Sequence, residues 1–297
     1  MTRKRAIIEL LLGATMISTS AVWVRAADVD PTAAGFWRMS IAAVVLLAVG
    51  WTRGWGLWRD ARYFLGFLPV AAFFALDLFL WHHSIHYVGP GLATLLANFQ
   101  VFFMAAVGAL FLGETIGWRF PTGVGLAVPG VFLLVGVDLE ALPPDYLTGV
   151  GLGLGTAVAY TGYLLGMRRA QRAEHTLPAA VNLLYASLWC SLLLAAMTAL
   201  EGASFAIGDV ESLGSMLIYG VVCQVIGWVL LTRSLPHLDA SLVGLILLLQ
   251  PALAMVWDVL FFGRPTGWFD LAGAALVLGG IYLASVRPRK CSAPSEP

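Results

Sequence analysis

The chain has 297 residues, 60% of them apolar and 11% charged, with a formal net charge of zero and a mean hydropathy of +0.85. So few charges cannot cover the surface of a soluble fold of this size, and the solvent for most of the chain is lipid. The balanced charge also excludes a nucleic-acid partner, which needs a surplus of Lys and Arg to displace counterions.

A bilayer core about 30 Å thick takes about 20 apolar residues in a helix, and segments near that length recur along the chain. The first is predicted at Ala6 to Val24 behind Arg3, Lys4 and Arg5. It reads as an uncleaved signal anchor, because comparable segments follow it. The others are expected at Ala33 to Trp51, Tyr63 to Trp81, Leu92 to Leu112, Phe120 to Val137, Leu147 to Met167, Ala179 to Leu200, Leu213 to Leu231, Leu242 to Phe262 and Phe269 to Val286. Asp30-Pro31, Gly89-Pro90, Gly117, Pro143-Pro144, Pro178, Pro236 and Gly263 with Pro265 punctuate them. Spans this apolar must be helical, since an open sheet in lipid leaves backbone groups unpaired. The expected fold class is an all-α membrane protein of ten transmembrane helices.

Lys and Arg in short loops prefer the cytoplasm. With the N-terminus inside, Arg3, Lys4, Arg5, Arg53, Arg59, Arg62, Arg119, Arg168, Arg169, Arg172, Arg233, Arg287, Arg289 and Lys290 fall on that side. Arg25, Arg38 and Arg264 lie at or near the outer one. Both termini are therefore expected in the cytoplasm, in a multi-pass protein of a bacterial inner membrane.

The two halves repeat at an offset of 150 residues. Leu112-Gly113-Glu114-Thr115-Ile116-Gly117-Trp118 aligns with Phe262-Gly263-Arg264-Pro265-Thr266-Gly267-Trp268, Gln100 with Gln250, and Gly123 and Gly130 with Gly273 and Gly280. An odd number of spans per half inverts one repeat against the other, the architecture of alternating-access transporters. The expected units are residues 1–142 and 143–288, followed by a polar cytoplasmic tail, 289–297. The glycines can pack two helices of one chain or of two, so the oligomeric state stays open.

Polar side chains at mid-membrane depth are the candidates for a site. Gln100 and Gln250 each lie about 12 Å from the nearer end of their span at 1.5 Å per residue, and either bind a ligand or join helices. Pro251 leaves the Leu247 carbonyl without its helical donor. Asn98 is on an adjacent face. Tyr160 and Tyr163 with Thr156, Gln224 with Trp228, and Asn182 with Tyr185 and Trp189 stand at helical spacing and are read as possible walls of a cavity, or as core.

Asp77 and Asp258 are costly in a span and read as vestibule or coupling carboxylates. His82, His83 and His86 lack the partners of a metal site and take a cavity-rim or interfacial role, with His83 a candidate for substrate binding at the rim. Arg38 either snorkels, pairs with Asp28 or Asp30, or meets a substrate carboxylate. Cys190, Cys223 and Cys291 offer neither a disulfide framework nor metal-ligand spacing. No GxxxxGK[ST], GxSxG or HExxH stretch occurs, so no motif points to ATP use, to hydrolysis or to a cofactor.

Tyr87-Val88-Gly89-Pro90-Gly91-Leu92-Ala93, Leu95-Leu96-Ala97-Asn98-Phe99-Gln100, Leu112-Gly113-Glu114, Leu238-Asp239-Ala240-Ser241, Gln250-Pro251 and Gly279-Gly280-Ile281-Tyr282 resemble the ten-helix EamA branch of the drug/metabolite transporter superfamily. The second half departs from that pattern at Gly263-Arg264, where a Gly-Glu pair is common. Within the family the likeness is to YddG-type exporters, whose substrates include aromatic amino acids. The resemblance implies a secondary transporter that exports amino acids. Other amines, nucleosides or drugs are the alternative cargo, and an intramembrane enzyme or a scaffold is a more distant reading.

Overall fold

The computed structural model describes residues 2–111, 117–135, 143–172, 177–234, 237–238 and 246–285. Among them the regular elements are all helical, as a backbone that must satisfy itself in lipid requires. In chain order they are α1 (Arg3–Ser18), α2 (Ser20–Ala26), α3 (Pro31–Thr52), α4 (Ala61–Leu65), α5 (Leu68–Val88), α6 (Pro90–Ala97), α7 (Gln100–Phe111), α8 (Arg119–Val135), α9 (Tyr146–Arg172), α10 (Ala179–Glu201) and α11 (Val210–Ile218). A π-helical segment, Tyr219–Gly227, follows, then α12 (Trp228–Ser234), α13 (Leu249–Phe262) and α14 (Trp268–Ser285).

Seven stretches are long and apolar enough to cross a membrane by length and composition: Arg3–Ala26, Pro31–Thr52, Ala61–Val88, Pro90–Phe111, Tyr146–Met167, Ala179–Glu201 and Val210–Leu231. Shorter apolar helices occupy Arg119–Leu134, Leu249–Phe262 and Trp268–Ala284. They fall on the three other predicted spans, each of which runs at one end past the described residues. Gly113-Glu114 and Asp239-Ala240-Ser241 also lie outside them. Large apolar side chains such as Val44, Leu110, Phe111 and Leu200 are exposed on the outside of the bundle, the surface that lipid covers.

Local chemistry sets the helix ends. Pro31 and Pro90 stand at first-turn positions, where the missing N–H costs nothing. Asp60 and Asp209 accept the N–H groups of Tyr63 and Ser212 to cap α4 and α11. Gly89, at φ +85°, turns the chain directly from α5 into α6.

Several predicted spans are interrupted, the one at Tyr63 to Trp81 by the turn at Gly66 and Phe67 between α4 and α5. The hydroxyls of Ser18 and Thr19 donate to the carbonyls of Thr15 and Met16 and separate α1 from α2. The Asn98 amide donates to the Thr94 carbonyl at 2.8 Å. There the backbone tightens, with Phe99 bonding to Leu96 and Phe102 to Phe99, and α6 gives way to α7. At the equivalent place in the second half, Leu248 breaks the helix ahead of α13, because Pro251 cannot donate to the Leu247 carbonyl.

Helices of one half pack on helices of the other: α3 on α10, α6 on α13, α8 on α14, α5 on α9, and α1 on the π segment and α12. A shift of 150 residues maps α3–α10 and α8–α14 onto themselves, carries α13 onto α7, which continues the span begun by α6, and exchanges the last two pairs, so the packing follows the sequence repeat. The α8–α14 crossing is antiparallel and depends on glycine. A Cβ on Gly130 would sit 2.8 Å from the Gly273 carbonyl oxygen, and one on Gly123 would meet that of Gly280. These four glycines therefore join helices within one chain, in the close small-residue packing that membranes favour.

Candidate functional site

Asn98, Gln100, Tyr160, Tyr163, Trp228 and Gln250 line one cavity of about 370 Å³, a volume typical of small-molecule sites. Each glutamine stands two residues past the interruption of its helix. Gln100 Oε1 and the Tyr163 hydroxyl are buried and find no hydrogen-bond partner among the described residues, a costly state for polar atoms. A polar ligand in the cavity would meet that need.

The tyrosines supply the apolar wall. Tyr163 stacks on Phe74 with ring centroids 4.1 Å apart and on Tyr160 at 6.0 Å, and Trp228 meets it edge-on at 6.3 Å. Stacked and T-shaped contacts of this kind hold the rings in place and leave a surface suited to an apolar or aromatic group.

A smaller cavity of about 90 Å³ shares Asn98, Tyr160, Trp228 and Gln250 with the larger one and adds Arg38, Asp77, Thr94 and Thr156. Arg38 is 5% exposed and Asp77 6%. Arg38 Nε donates to Gln224 Oε1 at 2.7 Å, and Nη1 donates to the Tyr219 hydroxyl at 2.6 Å. The same hydroxyl lies 2.9 Å from His82 Nε2, and the guanidinium stands 4.6 Å from the Tyr219 ring centroid.

The π segment makes this grip possible. Residues five apart diverge on an α-helix, whereas the i→i+5 ladder of a π-helix brings them to one side, where Tyr219 and Gln224 both reach Arg38. Gln224, expected beside Trp228, is thereby turned away from the cavity, and Trp228 alone of the two lines it. Arg38 does not pair with Asp28 or Asp30. The backbone N–H of Asp28 donates to the Ser212 hydroxyl, and Asp30 Oδ2 accepts the Ser204 N–H at 2.6 Å.

Other candidates stand apart. His83 Nδ1 is 2.8 Å from the Phe79 carbonyl and its Nε2 4.0 Å from Glu201, so it does not reach the cavity wall. Among the described residues no group of His, Cys, Asp and Glu is arranged to hold a metal ion. Asp258 Oδ2 accepts the Gly91 N–H at 3.0 Å and lies 3.5 Å from Arg264 Nη1, which also donates to the Val88 carbonyl. Arg264, standing where the family pattern has glutamate, thus faces the carboxylate that ties α13 to the start of α6. Asn182, Tyr185 and Trp189 bind Tyr63, the Leu57 carbonyl and the Phe64 carbonyl in a separate cluster. A recess of about 890 Å³ beside Arg59, Arg62 and Arg169 contains none of the candidate residues.

The Arg38 cluster is the part that sequence reasoning missed. Its signal was present as an arginine seven residues inside an apolar helix, but its partners lie more than 180 residues away on a helix whose local winding the spacing does not announce.

Residues 4–136 and 147–286 match the EamA-like transporter family. A probable amino-acid metabolite efflux pump of Salmonella typhimurium is 26% identical over 206 residues, 65% of this chain and 66% of that protein, just under two thirds of its length. Its Escherichia coli K12 namesake is 24% identical over 204 residues with the same coverage. The pseudopaline exporter CntI of Pseudomonas aeruginosa UCBPP-PA14 is 27% identical over 219 residues, 70% of this chain and 68% of that one. One protein crystal structure superposes with a TM-score of 0.67 at 19% identity, over 95% of this chain and 98% of that chain, a likeness of fold. Matched in both halves, the chain belongs to the EamA-like transporter family.

Proposed function

We propose that the protein is a secondary exporter of small metabolites, amino acids and aromatic ones in particular, working by alternating access. The repeats are residues 1–142 and 143–288, ten helices in all, inverted against one another, with both termini in the cytoplasm of a bacterium. The Arg and Lys distribution supports that orientation. The observation that carries the reading is the cavity in which two repeat-related glutamines, each just past a helix interruption, face an aromatic wall. Interrupted helices at an interface between repeats are where transporters of this design hold substrate. The names of the relatives support an amino-acid or metabolite cargo.

Flux of labelled phenylalanine, leucine and lysine across proteoliposome membranes tests it. Saturable phenylalanine flux that falls at least tenfold in Gln250→Ala and in Tyr160→Ala is the expected result. Absence of flux for every amino acid tried would overturn the amino-acid reading and move the screen to amines, nucleosides and drugs.

A further inference from the structure

We propose that Arg38 and Asp77 are the charged end of this site and hold the carboxylate and the ammonium group of a zwitterionic α-amino acid. The side chain then lies in the larger aromatic cavity. The inference rests on the exporter reading and deepens it.

Both residues are more than nine-tenths buried and line the small cavity that shares a wall with the large one. A charge inside a membrane protein is expensive, and such groups either pair or mark a substrate path. Arg38 hydrogen-bonds to two neutral groups, Gln224 and Tyr219. These bonds use two of five guanidinium N–H donors. Asp77 makes no hydrogen bond or ion pair among the described residues. Arg38 and Asp77 therefore share a cavity with no hydrogen bond or ion pair between them.

A ligand carrying one charge of each sign meets both needs at once. A carboxylate accepts paired N–H bonds from a guanidinium, and an ammonium group donates to Asp77. The guanidinium is already oriented by Gln224, by Tyr219 and, through the Tyr219 hydroxyl, by His82, so little ordering is left for binding to do. A space of about 90 Å³ is of headgroup size, and the adjoining 370 Å³ receives the side chain. A monovalent amine or acid would satisfy one charge and leave the other buried and unmet.

The test is competition with labelled phenylalanine flux in proteoliposomes by three unlabelled compounds: phenylalanine, phenethylamine, which lacks the carboxylate, and 3-phenylpropanoate, which lacks the ammonium group. For the wild type, each truncated analogue is expected to need at least a hundredfold higher concentration than phenylalanine. In Asp77→Asn the handicap of 3-phenylpropanoate should shrink at least tenfold while that of phenethylamine persists, and Arg38→Gln should do the reverse. Wild-type flux with all three compounds competing within threefold of one another would overturn the zwitterion site while leaving the exporter reading standing, and needs no variant to fold. Loss of analogue discrimination that is equal for both compounds in both variants would also overturn it. Absence of amino-acid flux in the wild type would overturn both readings.

Discussion

Gln100 and Gln250, 150 residues apart, face one cavity from two helices that are each interrupted two residues earlier, at Asn98 and at Leu248. The interruptions have different causes. A side-chain amide competes for a carbonyl in the first half, and a proline removes a donor in the second. Asn98→Leu, which gives the first half the residue of the second, should lose the Thr94 bond and let the helix run straighter. Loss of one such bond, about 1 kcal/mol, predicts a roughly fivefold fall in phenylalanine flux with an unchanged elution profile in detergent.

Tyr163 carries a buried hydroxyl with no hydrogen-bond partner among the described residues. Its removal in Tyr163→Phe keeps the stack on Phe74 and Tyr160 and relieves an unmet polar group, which costs about 1 to 3 kcal/mol. Thermal melting without substrate should move up by a few degrees, while KM for phenylalanine rises several-fold. A lower melting temperature would show that the hydroxyl is satisfied in the membrane.

The α8–α14 crossing makes a prediction with an internal control. Gly130→Val puts side-chain atoms against the Gly273 carbonyl and Val277, and overpacking of this kind costs about 1 to 3 kcal/mol. Gly125→Ala, two residues from Gly123 on the same helix, meets open space and should leave stability unchanged. Melting curves of the two variants, measured by the loss of monodisperse protein on heating, decide the matter.

Arg264→Glu would bring the departure from the family pattern back to a glutamate. Here it should destabilise, because it places a second carboxylate beside the buried Asp258 and removes the donor to the Val88 carbonyl. Breaking a buried pair costs about 3 to 5 kcal/mol. Asp258→Asn combined with Arg264→Glu should recover a substantial part of the loss, since the repulsion is gone. The readout is thermal stability of both variants in the same detergent.

Hydropathy and basic flanks were enough, with no structure, to read a helical membrane protein, because lipid leaves a backbone few options and records them as long apolar runs, while the resemblance to the EamA transporters rested on motifs such as Leu95-Leu96-Ala97-Asn98-Phe99-Gln100 and Gln250-Pro251. The same patterns singled out Asn98, Gln100, Tyr160, Tyr163, Trp228 and Gln250 as polar or aromatic residues at depth. What periodicity could not supply was the contact between distant helices. Only the tertiary structure decided that Gly123 and Gly130 pack within the chain, that Asp258 is held by Gly91 and Arg264, and that His83 stands apart from the cavity. It alone turned Gln224 toward Arg38, because a π-helical turn shifts side chains out of the 3.6-residue register on which the sequence reading relied.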